Sequence, residues 1–498
     1  MRATNALAGL ALVAAMVRPI AAQTPAQPAP PGPAAAVVPA APAGGDPAVL
    51  KKSCDKGSMA DCYTLASMLR RGEGAAKDAS KGAGLLKKAC EGGHGRACLD
   101  LANMNRSGEG VSRDIPKTVL LLKKACDLRE GEGCLQLGLM QQEGRDVTKD
   151  LGEAAAFLQR ACEAGLVKGC GALAPMYLDG VRFPRDAARG SALLRKACDG
   201  GDGGSCVVLG KLLATGDGMP RDAKGAVALY TQGCNGGLGR ACYELGAAHE
   251  RGEGAPRDAA RALSLYAKGC EGGEPRGCHA QGRLVRDGVG TARDPKKAAA
   301  LFSKACDNGA PAGCVDLGLL TESSTPPDIA LAAALYQKAC SARDPRGCRQ
   351  LGLLYRGVTG MVKDPVRATT LFKESCDGGD LAGCSALATA YIRADGVGRD
   401  LDRGMELYKK TCDAGYAADC YNLGTQYQRA FGRVSDIAHA VPMYQKACAG
   451  GAAAGCYELA MLHEMGNGVA KDHAKAVAFL QQACTAGLKD ACAKLKGH

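Results

Sequence analysis

Leucine beside glycine or alanine recurs at one position of a long pattern, as in Leu65-Ala66, Leu137-Gly138, Leu245-Gly246 and Leu459-Ala460, each pair beginning three residues after a cysteine. Only Gln281 and Lys496 interrupt it. A large apolar residue next to a small one predicts a helix pressed closely against a neighbour, termed helix A. A glycine-rich loop follows, such as Gly72-Glu73-Gly74 or Gly252-Glu253-Gly254. Then comes an aspartate at strict spacing: Asp78, Asp114, Asp150, Asp186, Asp222, Asp258, Asp294, Asp328, Asp364, Asp400, Asp436 and Asp472. Each precedes an alanine-rich amphipathic run such as Lys296 to Ala305. An aspartate placed there accepts hydrogen bonds from the first free amides and faces the positive end of the helix dipole, which predicts the N-cap of a second helix, helix B.

The cysteines give the period. All 26 fall into pairs eight positions apart: Cys54 with Cys62, Cys90 with Cys98, Cys126 with Cys134, Cys162 with Cys170, Cys198 with Cys206, Cys234 with Cys242, Cys270 with Cys278, Cys306 with Cys314, Cys340 with Cys348, Cys376 with Cys384, Cys412 with Cys420, Cys448 with Cys456 and Cys484 with Cys492. The first members recur every 36 residues, with one two-residue deletion before Cys340. A fixed period of this size predicts a solenoid. One continuous helix would hold residues eight apart at about 12 Å, whereas a disulfide tolerates no more than about 7 Å. The chain must therefore reverse between the members of each pair. Glycine three residues after the first cysteine, from Gly57 and Gly93 through to Gly487, fits a left-handed helix C-cap, and Arg129 and Arg343 are the two departures. The expected unit is helix A, loop and helix B, with a disulfide joining the end of one helix B to the start of the next helix A; twelve units fit between Cys62 and Cys484. Each bridge contributes roughly 2 to 3 kcal/mol by the chain-entropy estimate, which offsets cores poor in aromatics.

Composition matters most ahead of the repeats. Residues 1–22 combine Arg2, the apolar run Ala6 to Val17 and Ile20-Ala21-Ala22, which predicts a cleavable signal peptide whose apolar run is too short to span a bilayer. Residues 23–48 are nearly all Ala, Pro, Gly and Val with Asp46 as the one charge, and predict a flexible linker ahead of a repeat solenoid over 49–498. The next cysteine is Cys54, which leaves no site for a lipid at the processing point. A periplasmic or secreted chain without stable membrane insertion is expected, and in an oxidising compartment the cysteine pairs read as disulfides. Their gap is also wrong for zinc.

The net charge of +12 comes from 63 basic and 51 acidic residues mixed along the chain, with no basic stripe interleaved with aromatics. That pattern describes a solvated surface and argues against a nucleic-acid partner.

Helix A with its Cys-x-x-Leu-Gly pattern, the Gly-x-Gly loop, the Lys/Arg-Asp step and the Ala-x-x-Leu-Tyr-x-Lys-Ala-Cys helix B together resemble the Sel-one-like repeat (SLR). Ala298 to Cys306 and Cys242 to Asp258 carry that resemblance. The paired cysteines are similar to those of the cysteine-rich, Hcp-like branch of exported bacterial repeat proteins. The resemblance implies an all-α, right-handed superhelix of helix pairs, related to the tetratricopeptide repeat and commonly a protein-binding scaffold. For some members of that branch it implies binding or slow hydrolysis of penicillin-type compounds. Pro175 inside one helix A and the shortened loop Thr325-Pro326-Pro327 depart from the pattern and predict local irregularity.

Other chemistry is thin. The Gly-x-Gly sequences recur near one place of the repeat without a preceding strand pattern and read as turns. Ser53-Cys54-Asp55-Lys56 matches the Ser-x-x-Lys of penicillin-recognising enzymes, but the Ser-Asp-Asn and Lys-Thr-Gly partners of that chemistry are missing. His94, His249, His279, His439, His463, His473 and His498 are read as occupying unrelated repeat positions, so no ligand spacing emerges. No catalytic residue, cofactor or metal ligand is assigned. The expected function is a monomeric interaction scaffold whose concave face, lined by A helices, receives a protein or peptide. A β-lactam-binding or hydrolysing activity and a structural role in the envelope are the alternatives.

Overall fold

The computed structural model describes residues 45–180, 183–357, 361–429 and 436–496. The expected signal peptide, nearly all of the expected linker and His498 lie outside them. Among the described residues the chain forms 26 helices and no strand. It divides into two compact units, Met1–Thr118 and Val119–His498.

The first unit holds α1 (Pro47–Asp55), α2 (Met59–Arg71), α3 (Ala79–Glu91), α4 (Gly95–Ser107) and the start of α5 (Ile115–Asp127). The second continues with α6 (Gly131–Glu143), α7 (Leu151–Glu163), α8 (Val167–Leu178), α9 (Ala187–Asp199), α10 (Gly203–Thr215), α11 (Ala223–Asn235), α12 (Gly239–Arg251) and α13 (Ala259–Glu271). Then come α14 (Pro275–Asp287), α15 (Pro295–Asp307), α16 (Pro311–Glu322), α17 (Ile329–Ser341), α18 (Pro345–Gly357), α19 (Pro365–Asp377) and α20 (Leu381–Arg393). The series ends with α21 (Leu401–Asp413), α22 (Ala417–Arg429), α23 (Ile437–Ala449), α24 (Ala453–Met465), α25 (His473–Thr485) and α26 (Lys489–Leu495). Even-numbered helices from α2 to α24 are A helices and odd-numbered ones from α3 to α25 are B helices, alternating in chain order between α1 and α26. Asp46 accepts the Ala48 amide at 2.8 Å and starts α1 at Pro47.

Local chemistry sets the helix ends. The regularly spaced aspartates cap their B helices; Asp114, for example, accepts the Lys117 amide and Asp294 the Lys297 amide, both at 2.9 Å. At the turn between helix B and the next helix A the glycines have φ from 78° at Gly273 to 103° at Gly57. Arg129 and Arg343, where the sequence departs from glycine, keep the same left-handed conformation, with φ of 61° and 62°. The reversal brings the two cysteines of every pair to Cα separations of 4.5–4.7 Å, and a disulfide joins each pair.

Size matching holds the hairpins together. The small residue of the Leu-Gly or Leu-Ala pair faces a large side chain on helix B, so glycine stands opposite aromatics: Gly246 opposite Tyr266, Gly282 opposite Phe302, Gly352 opposite Phe372 and Gly424 opposite Tyr444. A methyl on Gly282 would stand 2.7 Å from the Phe302 ring. Where helix B carries Leu86, Leu194 or Leu480, helix A carries Ala66, Ala174 or Ala460. Gly138 opposite Leu158 and Ala388 beside Tyr408 are the departures from that rule. Tyr266, Phe302, Phe372 and Tyr444 are fully buried or nearly so, and they supply apolar area that the many alanines cannot.

The two irregular units each lose one helical residue. α8, which contains Pro175, and α16, which precedes Thr325-Pro326-Pro327, have 12 residues where the other A helices have 13, the short terminal α26 aside. Thr325-Pro326 is cis, and the Asp328 amide reaches back to Thr321 O at 3.1 Å.

Candidate binding face along the A helices

Within the second unit successive A helices approach one another, α10 with α12, α12 with α14, α16 with α18, α18 with α20 and α22 with α24, more closely than successive B helices do. Polar pairs join successive A helices at about one-repeat intervals. Lys211 on α10 pairs with Glu244 on α12 at 2.8 Å. Arg283 on α14 pairs with Glu250 on α12, whose other oxygen accepts the buried Tyr266 hydroxyl at 2.6 Å. His279 on α14 meets Asp316 on α16 at 2.5 Å, and Arg286 reaches the same carboxylate at 3.2 Å. Arg349 on α18 binds Asp380, the N-cap residue of α20, at 2.7 Å, and Ser385 on α20 donates to Asp419 on α22 at 2.9 Å.

Two of these carboxylates, Glu250 and Asp316, favour the charged form despite their surroundings. Burial works against ionisation of Glu250, but donation from Tyr266 and Arg283 outweighs it and holds the carboxyl below its usual range. Asp316 behaves alike: burial is opposed and overcome by His279 and Arg286. The Tyr266 hydroxyl is pushed upward by burial and by its bond to Glu250. The band thus presents fixed charges and hydrogen-bonding groups on rigid helices, which suits recognition. Aromatics add to it, since the Arg276 guanidinium lies 4.6 Å from the centre of the Tyr243 ring.

The histidines are not as unrelated as their spacing suggested. His249 and His463 share a position seven residues after the second cysteine, in the last turn of helix A. There the ring Nδ1 lies 3.2 Å from Pro256 O and 3.1 Å from Ala470 O, which ties the loop to the helix. His94 caps α4 by accepting the Ala97 amide at 3.2 Å and stacks on Tyr63. His439 and His473 pair with Asp436 and Glu464. The Ser53 hydroxyl, the one sequence hint of a hydrolase, donates to Asp61. Cys340, Cys348 and Glu374 bring two sulfurs and a carboxylate within 4.8 Å of one another, but both sulfurs share one disulfide. No described helix is long and apolar enough to cross a membrane.

The Sel1 repeat model matches twelve successive stretches, from 61–94 and 95–129 to 417–451 and 453–488. A protective antigen of uropathogenic Escherichia coli strains displaying an SLR fold is similar over 91% of this chain and 97% of its own, at 22% identity and a TM-score of 0.63. A Sel1 repeat protein from Oxalobacter formigenes is 21% identical over 72% of this chain and 92% of its own, with a TM-score of 0.44. Helicobacter pylori cysteine-rich protein B is 29% identical over 26% of this chain and 98% of its own, with a TM-score of 0.22. No curated protein matches the chain.

Proposed function

Because this chain belongs to the Sel1 repeat family, we propose that it is an exported scaffold that binds a protein or peptide along its A helices. The observation that carries this reading is the polar band from Lys211 to Asp419, which spans seven A helices with groups held in place across repeat boundaries. Long side chains already fixed by partners lose little further entropy on binding, which favours affinity. The closer approach of A helices than of B helices is what an inner, concave side lined by A helices would produce. Thirteen disulfides fit an oxidising compartment, and the apolar run Ala6 to Val17 would direct the chain there.

A photo-crosslinking residue distinguishes the faces. Gln350 and Asn422 stand at the repeat position of Glu244 and Asp316, whereas Lys373 and Lys409 are exposed on B helices. In the export compartment, Gln350 and Asn422 variants should capture one common protein that the Lys373 and Lys409 variants do not. Equal capture from both faces, or none from either, would remove the proposal.

A further inference from the structure

One repeat position recurs beside the cysteine pair of the preceding repeat. In several repeats the residue two before the first cysteine of a pair reaches a cysteine of the preceding repeat: Lys88 donates to Cys54 O at 3.0 Å, Arg160 to Cys126 O at 3.1 Å and Lys196 to Cys162 O at 3.2 Å. Of the twelve residues at this position from Lys88 to Gln482, nine are Lys or Arg, two are Gln232 and Gln482, and one is Glu374. The Glu374 carboxylate lies 3.5 Å from Cys340 Sγ and 3.8 Å from Cys348 Sγ. The next bridge has the opposite neighbour, with Lys410 Nζ 3.9 Å from Cys384 Sγ.

Thiol–disulfide exchange brings an anionic thiolate to one sulfur while the other sulfur leaves as a thiolate. An adjacent ammonium favours both negative charges and an adjacent carboxylate opposes both. We propose that Cys376–Cys384 is a site for exchange with a dithiol, and that Glu374 guards Cys340–Cys348 against the same attack. The thiolate of the dithiol attacks Cys376 Sγ, on the more exposed of the two residues at 6% against 0% for Cys384. The S–S bond breaks and its electron pair goes to Cys384 Sγ beside Lys410, where it takes up the proton of the dithiol's second thiol. That second sulfur then attacks the mixed disulfide and releases Cys376 as a thiolate, which is protonated from solvent. The bridge gains two electrons and the dithiol ends as a cyclic disulfide.

Access alone would give the reverse order, because Cys340 is 8% exposed and Cys376 only 6%. The two bridges therefore separate electrostatic control from burial. Glu374 and Lys410 are themselves exposed, so exchanging their charges leaves the packing in place.

The test follows each bridge in the full chain under limiting dithiothreitol, with timed alkylation and peptide mass spectrometry. Cys376–Cys384 should open about tenfold faster than Cys340–Cys348, a modest share of what charges near 4 Å exert at a protein surface, and the ratio should shrink in concentrated salt. The double variant Glu374→Lys with Lys410→Glu should reverse the order while circular dichroism stays unchanged. An order that follows exposure in the parent chain, a ratio insensitive to salt, or an order unmoved by the charge exchange would overturn the proposal. The salt series on the parent chain decides the matter should the double variant not fold.

Discussion

His279 and Asp316 stand 37 positions apart in the chain and 2.5 Å apart in space, fastening α14 to α16 on the face where a partner is proposed to bind. The Asp316 carboxyl is held below its ordinary value of 3.8, so its contribution to stability is fully present above that value and is lost as the pH falls through the lower folded-state value. Amide exchange in α14 and α16 should accelerate more steeply below pH 4 in the parent chain than in Asp316→Asn, which is already weakened at neutral pH. Parallel pH profiles for the two proteins would contradict this account.

The opposition of Gly282 and Phe302 gives a coupled pair. Gly282→Ala pushes a methyl against the ring and should cost about 1 to 3 kcal/mol, and Phe302→Leu should cost a few kcal/mol through the space it leaves. Combined, the two should cost clearly less than their sum, because the smaller side chain makes room for the methyl. Denaturant titrations read through exchange in this hairpin would measure the coupling; strict additivity would show that the size match is incidental.

Arg343 holds a left-handed conformation that disfavours side chains by roughly 1 to 2 kcal/mol, while glycine adds back about 0.5 to 1 kcal/mol of unfolded-state entropy. Arg343→Gly should therefore stabilise its repeat by about 0.5 to 1 kcal/mol, as should Arg129→Gly. A lower unfolding midpoint in either variant would mean that the arginine side chain contributes more than its backbone costs.

Two glycines with similar backbone angles separate strain from crowding. Gly290 (φ 72°) and Gly309 (φ 88°) are both left-handed, but a methyl on Gly290 would stand 2.7 Å from the Ala259 carbonyl carbon of the preceding hairpin, and one on Gly309 would meet nothing within 4 Å. Gly309→Ala should cost about 1 kcal/mol, and Gly290→Ala 1 to 3 kcal/mol more, read as the difference in unfolding midpoints. Equal losses would show that the loop is free to move away.

Most of the repeat was legible because its determinants are local. The aspartate caps, the glycines after each first cysteine and the reversal demanded by cysteines eight apart are consequences of neighbouring residues. Arg129 and Arg343 show the limit of that reasoning: the turn is imposed by the hairpin around it and persists without its preferred residue. The polar band was not legible, since Glu250 and Arg283 or His279 and Asp316 are joined across repeats and differ from one repeat to the next. The shared position of His249 and His463 was readable in principle, because both stand seven residues after a cysteine. The clash between a glycine methyl and a facing ring emerges only once the hairpins are closed.

Hydrogen exchange on the full oxidised chain, with and without the protein captured by crosslinking, tests the proposed binding face most directly. Partner-dependent slowing should run through the A helices from α10 to α22 and leave the B helices between them unchanged. Slowing confined to the B helices, or to the loops between hairpins, would contradict it.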